Sequence, residues 1–155
     1  MHRLQAGTLD PTGWALAEST RGAFSVKLPC KFNDFTIDDD TGADVARVHT
    51  VGCLRPDREK YSATRLEYRG ESMAARYFEK NAGPAAFHGA KKVRSTLHGL
   101  PVIDIVPFER DQCAAMRFVL AGTEIVMMVA ESPPEQCAAL RTRIPAFLSS
   151  LEIRQ

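Results

Sequence analysis

Four cysteines, Cys30, Cys53, Cys113 and Cys137, are the residues most able to do chemistry in this chain. No two have Cys-x-x-Cys spacing and no histidine stands at a zinc-finger offset, so a metal site is not expected. Two readings remain open. The four are small buried hydrophobes, or Cys30 and Cys53 form a disulfide between neighbouring strands. Loop closure would make that bond worth roughly 3.5 kcal/mol, and it would require an oxidising compartment. His49 and Cys53 suggest a base and a nucleophile, and their spacing of four puts both on one face of a strand. Four strand residues span roughly 13 Å, too far for a direct hydrogen bond. His88 or His98 could reach a cysteine only through the fold. Gly-x-Ser-x-Gly, Walker, Gly-x-Gly-x-x-Gly and His-Glu-x-x-His patterns are all missing, so no catalytic residue and no cofactor is assigned.

Among the acids, Asp104 stands out inside Val102-Ile103-Asp104-Ile105-Val106, where a carboxylate must find a partner. A two-residue turn at Arg110-Asp111 would place Glu109 opposite Gln112, and position 104 opposite Arg117. A cross-strand ion pair between Asp104 and Arg117 is therefore expected in preference to a catalytic acid. The cluster Asp38-Asp39-Asp40-Thr41-Gly42 invites a calcium reading. Counted from Asp38, however, the glycine falls fifth and His49 twelfth, where an EF-hand needs glycine sixth and glutamate twelfth. A solvated hairpin loop is expected instead. Lys91, Lys92 and Arg94 form a basic run without interleaved aromatics, a solvated face more than a nucleic-acid surface. Met127-Met128 is core by its periodicity.

These residues need elements to position them. Residues 1–22 are polar and punctuated by Gly and Pro, and read as a tail with Trp14 as an anchor. Phe24, Val26 and Leu28 alternate in a first strand stopped by Pro29, and Phe35 and Ile37 mark a second. Further strands over 44–54 and 60–69 flank a turn at 55–58. A helix is expected over 71–81 with Met73, Tyr77 and Phe78 on one face, ended by Gly83-Pro84. Residues 85–92 suit a short second helix. Strands at 93–98 and 102–106 flank a turn at 99–101. Those at 113–121 and 124–130 meet at Gly122-Thr123, which fits a type II′ hairpin. Met116, Phe118 and Leu120 oppose Val119 and Ala121, while Ile125, Met127 and Val129 oppose Val126 and Met128. Apolar residues on both faces require a cover on each. One cover is a closing helix, begun by Ser132 as cap with Glu135 three residues on. Its apolar stripe is Cys137, Leu140, Ile144, Phe147 and Leu151, with a kink expected at Pro145 and a small strand over 151–153. The fold class is α+β: a three-layer α/β/α sandwich around a central, mainly antiparallel sheet of about six to eight strands, in one domain over 23–153.

The chain has 155 residues, 45% hydrophobic and 25% charged, with 20 basic and 19 acidic side chains. That suits one globular domain with a real core. The net charge of +1 provides no field for nucleic acid or anionic lipid. No apolar run of signal-peptide length opens the chain, and the longest, 125–130, is strand-sized, so membrane insertion is not expected. As written the chain reads as cytoplasmic, or as periplasmic if an export signal was removed.

Gly22-Ala23-Phe24-Ser25-Val26-Lys27-Leu28-Pro29 is similar to the Gly-x-Phe-Ser-Val-x-x-Pro opening of the PsbP-like superfamily. Gly99-Leu100-Pro101 resembles that group's Gly-x-Pro turn. Met116-Arg117-Phe118, through residues 125–129, to Phe147-Leu148-Ser149-Ser150-Leu151 looks like its closing strand, strand and helix. The resemblance covers most of residues 22–153 and implies an α/β/α sandwich with an antiparallel sheet. It also implies a non-enzymatic bacterial binding or adaptor domain whose partner is another protein, met at a sheet edge or a groove. The short opening strands are the expected edge. The competing readings are a small enzyme using a reactive cysteine or a cleft carboxylate, and a small-molecule binder with an apolar pocket under residues 71–92.

Overall fold

The computed structural model describes residues 2–5, 9–39, 42, 44–83, 86–87, 89–109 and 111–154, with main chain alone for 2–5 and 107–109. Eight strands make the central sheet. In spatial order they are β1 (His2–Gln5), β4 (Phe32–Asp38), β5 (Val45–Leu54), β6 (Lys60–Tyr68), β10 (Glu124–Ser132), β9 (Cys113–Ala121), β8 (Leu100–Glu109) and β7 (Lys92–Leu97). Every neighbouring pair is antiparallel. A second sheet has the order β11 (Glu152–Ile153), β3 (Phe24–Leu28), β2 (Ala15–Glu18). The helices are α1 (Glu71–Ala82) and α2 (Cys137–Ser149), the latter entered through a 3-10 turn, Pro134–Gln136.

The central strands are apolar on both faces because each face has its own cover. On one, Ala74 and Phe78 of α1 pack on Tyr68, Ile103, Ile105, Phe118 and Ile125. On the other, Val102, Ala115, Val119, Val126, Met128 and Ala130 lie beneath two structures at once. These are the α2 stripe of Cys137, Leu140, Ile144 and Phe147, and the small sheet with Ala15, Ala17, Phe24, Val26 and Leu28. The second cover is thus half helix and half sheet.

Several expectations are corrected. Residues 15–18 fall within the expected tail, yet they pair with β3. Ala15 and Ala17 turn inward while Leu16 stands out in solvent. Small side chains fit where two layers approach closely, which inverts the hydrophobicity pattern. The described part of 85–92 forms turns and the start of β7, without a helix; Pro84, Ala85 and His88 lie outside the described residues. On α1 the buried row is Ala74, Phe78 and Asn81, with Met73 and Tyr77 38% and 40% exposed. The β7–β8 turn is His98-Gly99, both at positive φ (49° and 81°), so Leu100 and Pro101 already belong to β8. Ser132 ends β10 and donates to the Pro133 carbonyl, and α2 starts five residues later with no side-chain cap. Gly122 has φ 64° between Ala121 and Glu124, the left-handed first position that a type II′ hairpin requires.

Candidate functional site

Asp104 and Arg117 face each other in the β8–β9 register. Arg117 Nε donates to Asp104 Oδ1 at 2.8 Å and Nη2 to Oδ2 at 3.0 Å, a bidentate fork, while Nη1 reaches the Leu148 carbonyl at 3.2 Å. The pair therefore also holds the end of α2. The route to it differs from the simple count. Glu109 pairs with Cys113, not with Gln112, and an irregularity between Ile105 and Phe108 shifts the register back by one. The longer turn and the bulge cancel; Arg110 itself lies outside the described residues.

All four cysteines are bonded and none is free. Cys30 joins Cys53 at a Cα separation of 5.9 Å, and Cys113 joins Cys137 at 5.4 Å. The reading of four buried thiols gives way to two disulfides. The first bond ties the segment after β3 to the buried row of β5. The second ties the first residue of β9 to the first residue of α2. That spacing is the length of the β9–β10 hairpin plus one turn: Cys113 lies opposite Ser132, and the 3-10 turn carries the chain back across the sheet end. This was the signal by which the second pair could have been found.

Among the buried ionisable residues that escaped the sequence reading are Glu59 and Arg65. Glu59 is fully withdrawn from solvent, accepts from Tyr61 Oη at 2.5 Å, and is paired with Arg143 of α2. Burial, together with the hydrogen bond and charge of Glu59, pushes the Tyr61 phenol well above its ordinary range. Arg65 is paired with Glu124 and donates to the Gly22 carbonyl at 2.9 Å and to that of Ala23 at 3.2 Å. His49, 1% exposed, sits between Thr36 Oγ1 at 2.9 Å and Glu67 Oε1 at 3.3 Å. Each of these groups spends its polar capacity fastening one strand or layer to another. Among the described residues, no group of three or more His, Cys, Asp or Glu could hold a metal ion. Asp38 is paired with Arg47, whose hydrogen bond holds that carboxyl below the usual range; Asp40 and Thr41 of the acidic cluster lie outside the described residues. No described helix is long and apolar enough to cross a membrane.

What the fold turns outward is the margin and part of one face of the sheet. α1 lies over β6, β9 and β10, and on the same side of the sheet β4 and β5 carry exposed side chains. Ile37 and Leu54 are there 55% and 61% exposed. A hollow of about 260 Å³ opens beside Phe35, Leu54 and Val129. Among the described residues, Phe78 and Phe118 pack together under α1, where the competing small-molecule reading put an apolar pocket. At the far margin β7 is exposed from Val93 to Thr96. Of the basic run, Lys92 Nζ donates to the carbonyls of Gly83 and Ala86, while Arg94 stays exposed and pairs with Glu79 of α1.

No protein-family description matches the sequence, and no curated protein does. Among solved structures, the chain is similar to cyanobacterial PsbP (CyanoP) from Synechocystis sp. PCC 6803, with a TM-score of 0.52 and 10% identity over 96% of each chain. A Bacteroides thetaiotaomicron structure gives 0.47 at 14% identity, with 99% of this chain spanning 50% of that one. A Pseudomonas aeruginosa protein of unknown function, described as a putative regulator, gives 0.45 at 15% identity, over 86% of this chain and 90% of that one. The likeness to CyanoP shows the fold alone: an α+β fold similar to that of PsbP, with a central antiparallel sheet.

Proposed function

We propose that this chain is a non-enzymatic bacterial binding domain that holds a segment of another protein against its sheet, in a compartment where disulfides persist. The observation that carries this reading is the position of β7, the last strand of the eight, exposed along most of its length. A strand in that place offers main-chain donors and acceptors that a partner can use. The two disulfides support the choice of compartment, since reduced intracellular pools keep such pairs open. The resemblance to binding proteins of the same fold supports the choice of class.

The test is site-specific photocrosslinking in the native host, with the reactive residue placed in turn at Val93, Ser95 and, as a control on the outer face of α2, Thr142. Discrete adducts from the two β7 positions and none from the control are the expected result. Adducts from no position, or equally from all three, would overturn the reading.

A further inference from the structure

From the ladder geometry of β7 we infer that this strand accepts an extended protein segment whose residues alternate between acidic and apolar, added as a ninth antiparallel strand. The inference rests on the binding function proposed above and specifies its partner's chemistry.

The direction of each peptide group in β7 is fixed by its neighbour. Val106 N–H donates to the Lys91 carbonyl at 2.9 Å, so Lys91 and Val106 form a hydrogen-bonded pair. Hydrogen-bonded and non-bonded pairs alternate along an antiparallel ladder. Following the register Val93↔Asp104, Ser95↔Val102 and Leu97↔Leu100, those residues turn their main-chain groups toward β8. Lys92, Arg94 and Thr96 consequently point their N–H and C=O groups away from the sheet. Three residues at alternate positions suffice for a short added strand.

Side chains then set the occupant. Lys92, Arg94 and Thr96 share the face of α1, where Arg94 meets Glu79. Val93 and Ser95 share the opposite face, and both are exposed. Residues 91–103 contain Lys91, Lys92, Arg94 and His98 and no acid at all. An added strand would place alternate side chains beside Lys92 and Arg94, where carboxylates are favoured, and the others beside Val93, where β-branched residues pack. A second copy of this chain is disfavoured in two of its three central registers. Two-fold pairing centred on Arg94 sets Arg94 against itself and pairing centred on Val93 sets Lys92 against Arg94, both like-charge contacts, whereas pairing centred on Ser95 sets Arg94 against Thr96. Lysines on an edge also guard against indiscriminate pairing, so a merely protective role is the outcome that the experiment must exclude.

The experiment measures fluorescence anisotropy of the intact disulfide-bonded domain with two labelled, end-capped peptides, Thr-Glu-Val-Glu-Val-Glu-Thr and its counterpart with lysine for glutamate. The acidic peptide should bind at least tenfold more tightly, and its affinity should fall as salt rises. Thr96→Pro removes one outward N–H without touching the β8 ladder, a substitution that an edge strand tolerates, and should weaken binding at least tenfold. The exchange E79R/R94E keeps the ion pair but reverses the charge beside the added strand, and should reduce the preference for the acidic peptide severalfold. Circular dichroism and Tm check that both variants are folded. If neither peptide binds, if the lysine peptide binds as well, or if the acidic peptide ignores both variants, the inference is overturned. Crosslinks from Val93 and Ser95 that persist in that case would leave the binding function standing and remove only the acidic strand. Their absence would remove both.

Discussion

The carboxylate of Glu59, fully buried in the turn just before β6, is met by the guanidinium of Arg143 reaching down from α2. One ion pair thus links the β5–β6 turn to the covering helix. Tyr61 Oη gives the carboxylate a second donor. Arg143→Met should destabilise the fold by about 3 kcal/mol, because a buried charge is left with only a neutral donor. For a chain of this length that is a fall in Tm of roughly 6–12 °C. The double variant Glu59→Gln/Arg143→Met should be less damaging than Arg143→Met alone, as measured by urea unfolding. Equal losses would mean that the charge of Glu59 is not what the arginine answers.

Asp104 and Arg117 form the corresponding tie on β8 and β9, but each side chain keeps about a fifth of its surface in water (21% and 20%). Solvent therefore screens part of the interaction, and Arg117→Met should cost about 1–2 kcal/mol, less than the Arg143 variant. Differential scanning calorimetry of the two single variants side by side tests the order. An unchanged Tm for Arg117→Met would sink the pairing as a stabilising contact.

The part of the fold after residue 100 was legible because local pattern and tertiary role coincide there. Apolar residues on both faces of β9 and β10 demanded two covers, and the α2 stripe from Cys137 to Phe147 supplied one. Where small residues carry the packing, the pattern failed. Ala15, Ala17 and Ala74 are buried while Leu16 and Met73 are exposed, since close approach of two layers rewards low volume over hydrophobicity. Asp104 opposite Arg117 was reached from a turn one residue too short, and the bulge before Phe108 restored the alignment. Glu59 with Arg143 and Cys113 with Cys137 depend on how α2 lies across the sheet, which no short window of sequence contains. The outer edge was expected among the opening strands; the strand of Phe24 and Val26 instead lies between β2 and β11, that of Phe35 has β1 beside it, and the central sheet ends at β1 and at β7.

Stability should depend on pH at both extremes. The hydrogen bond from Arg47 lowers the Asp38 pKa from 3.8, and the one from Arg94 lowers that of Glu79 from 4.5. A carboxyl with a depressed folded pKa stabilises above its unfolded value and loses that contribution as pH falls through the folded one. Tyr61 and Tyr68 are shifted upward from 10.0, chiefly by burial. Their contribution is complete below pH 10 and is lost as pH rises beyond it. Urea midpoints should fall below about pH 4 and above about pH 10. In Tyr61→Phe the alkaline decline should be shallower; an identical slope would show that the Tyr61 phenol ionises freely in the folded chain.

The two disulfides should open in order. Cys30 is half-buried, whereas Cys113 and Cys137 are 0% and 3% exposed. A thiolate reductant reaches a bond only where a sulfur is accessible, so Cys30–Cys53 should reduce first under graded dithiothreitol, read by alkylation and mass spectrometry. Each bond closes a loop worth about 3.5 kcal/mol, and the first reduction should lower Tm without unfolding the domain. Simultaneous loss of both would mean that reduction waits for global unfolding.

Gly22 explains the opening of the Gly-x-Phe-Ser-Val pattern in physical terms. Its Cα faces three neighbours so closely that a Cβ would lie 2.6 Å from Ser19 Oγ, 2.8 Å from His49 Cβ and 2.8 Å from the Phe24 ring. Its carbonyl accepts from Arg65, and its N–H donates to Ser19 Oγ at 2.9 Å. The turn is therefore pressed onto the central sheet at the point where Arg65 and His49 rise from β6 and β5, and the Ser19 hydroxyl is the only flexible end among the three. Gly22→Ala must push the small sheet away from His49, at a cost of about 1–3 kcal/mol typical of overpacking. His49→Ala should not recover it, because the close contact is with the His49 Cβ, which alanine keeps, and the substitution also strips Thr36 and Glu67 of a partner. The informative comparison is the coupling between Gly22→Ala and Phe24→Leu, measured by a double-mutant cycle. Removal of the ring edge should make the alanine cheaper, giving a favourable interaction energy of at least about 0.5 kcal/mol. Strict additivity would show that the turn is not held by contact with Phe24.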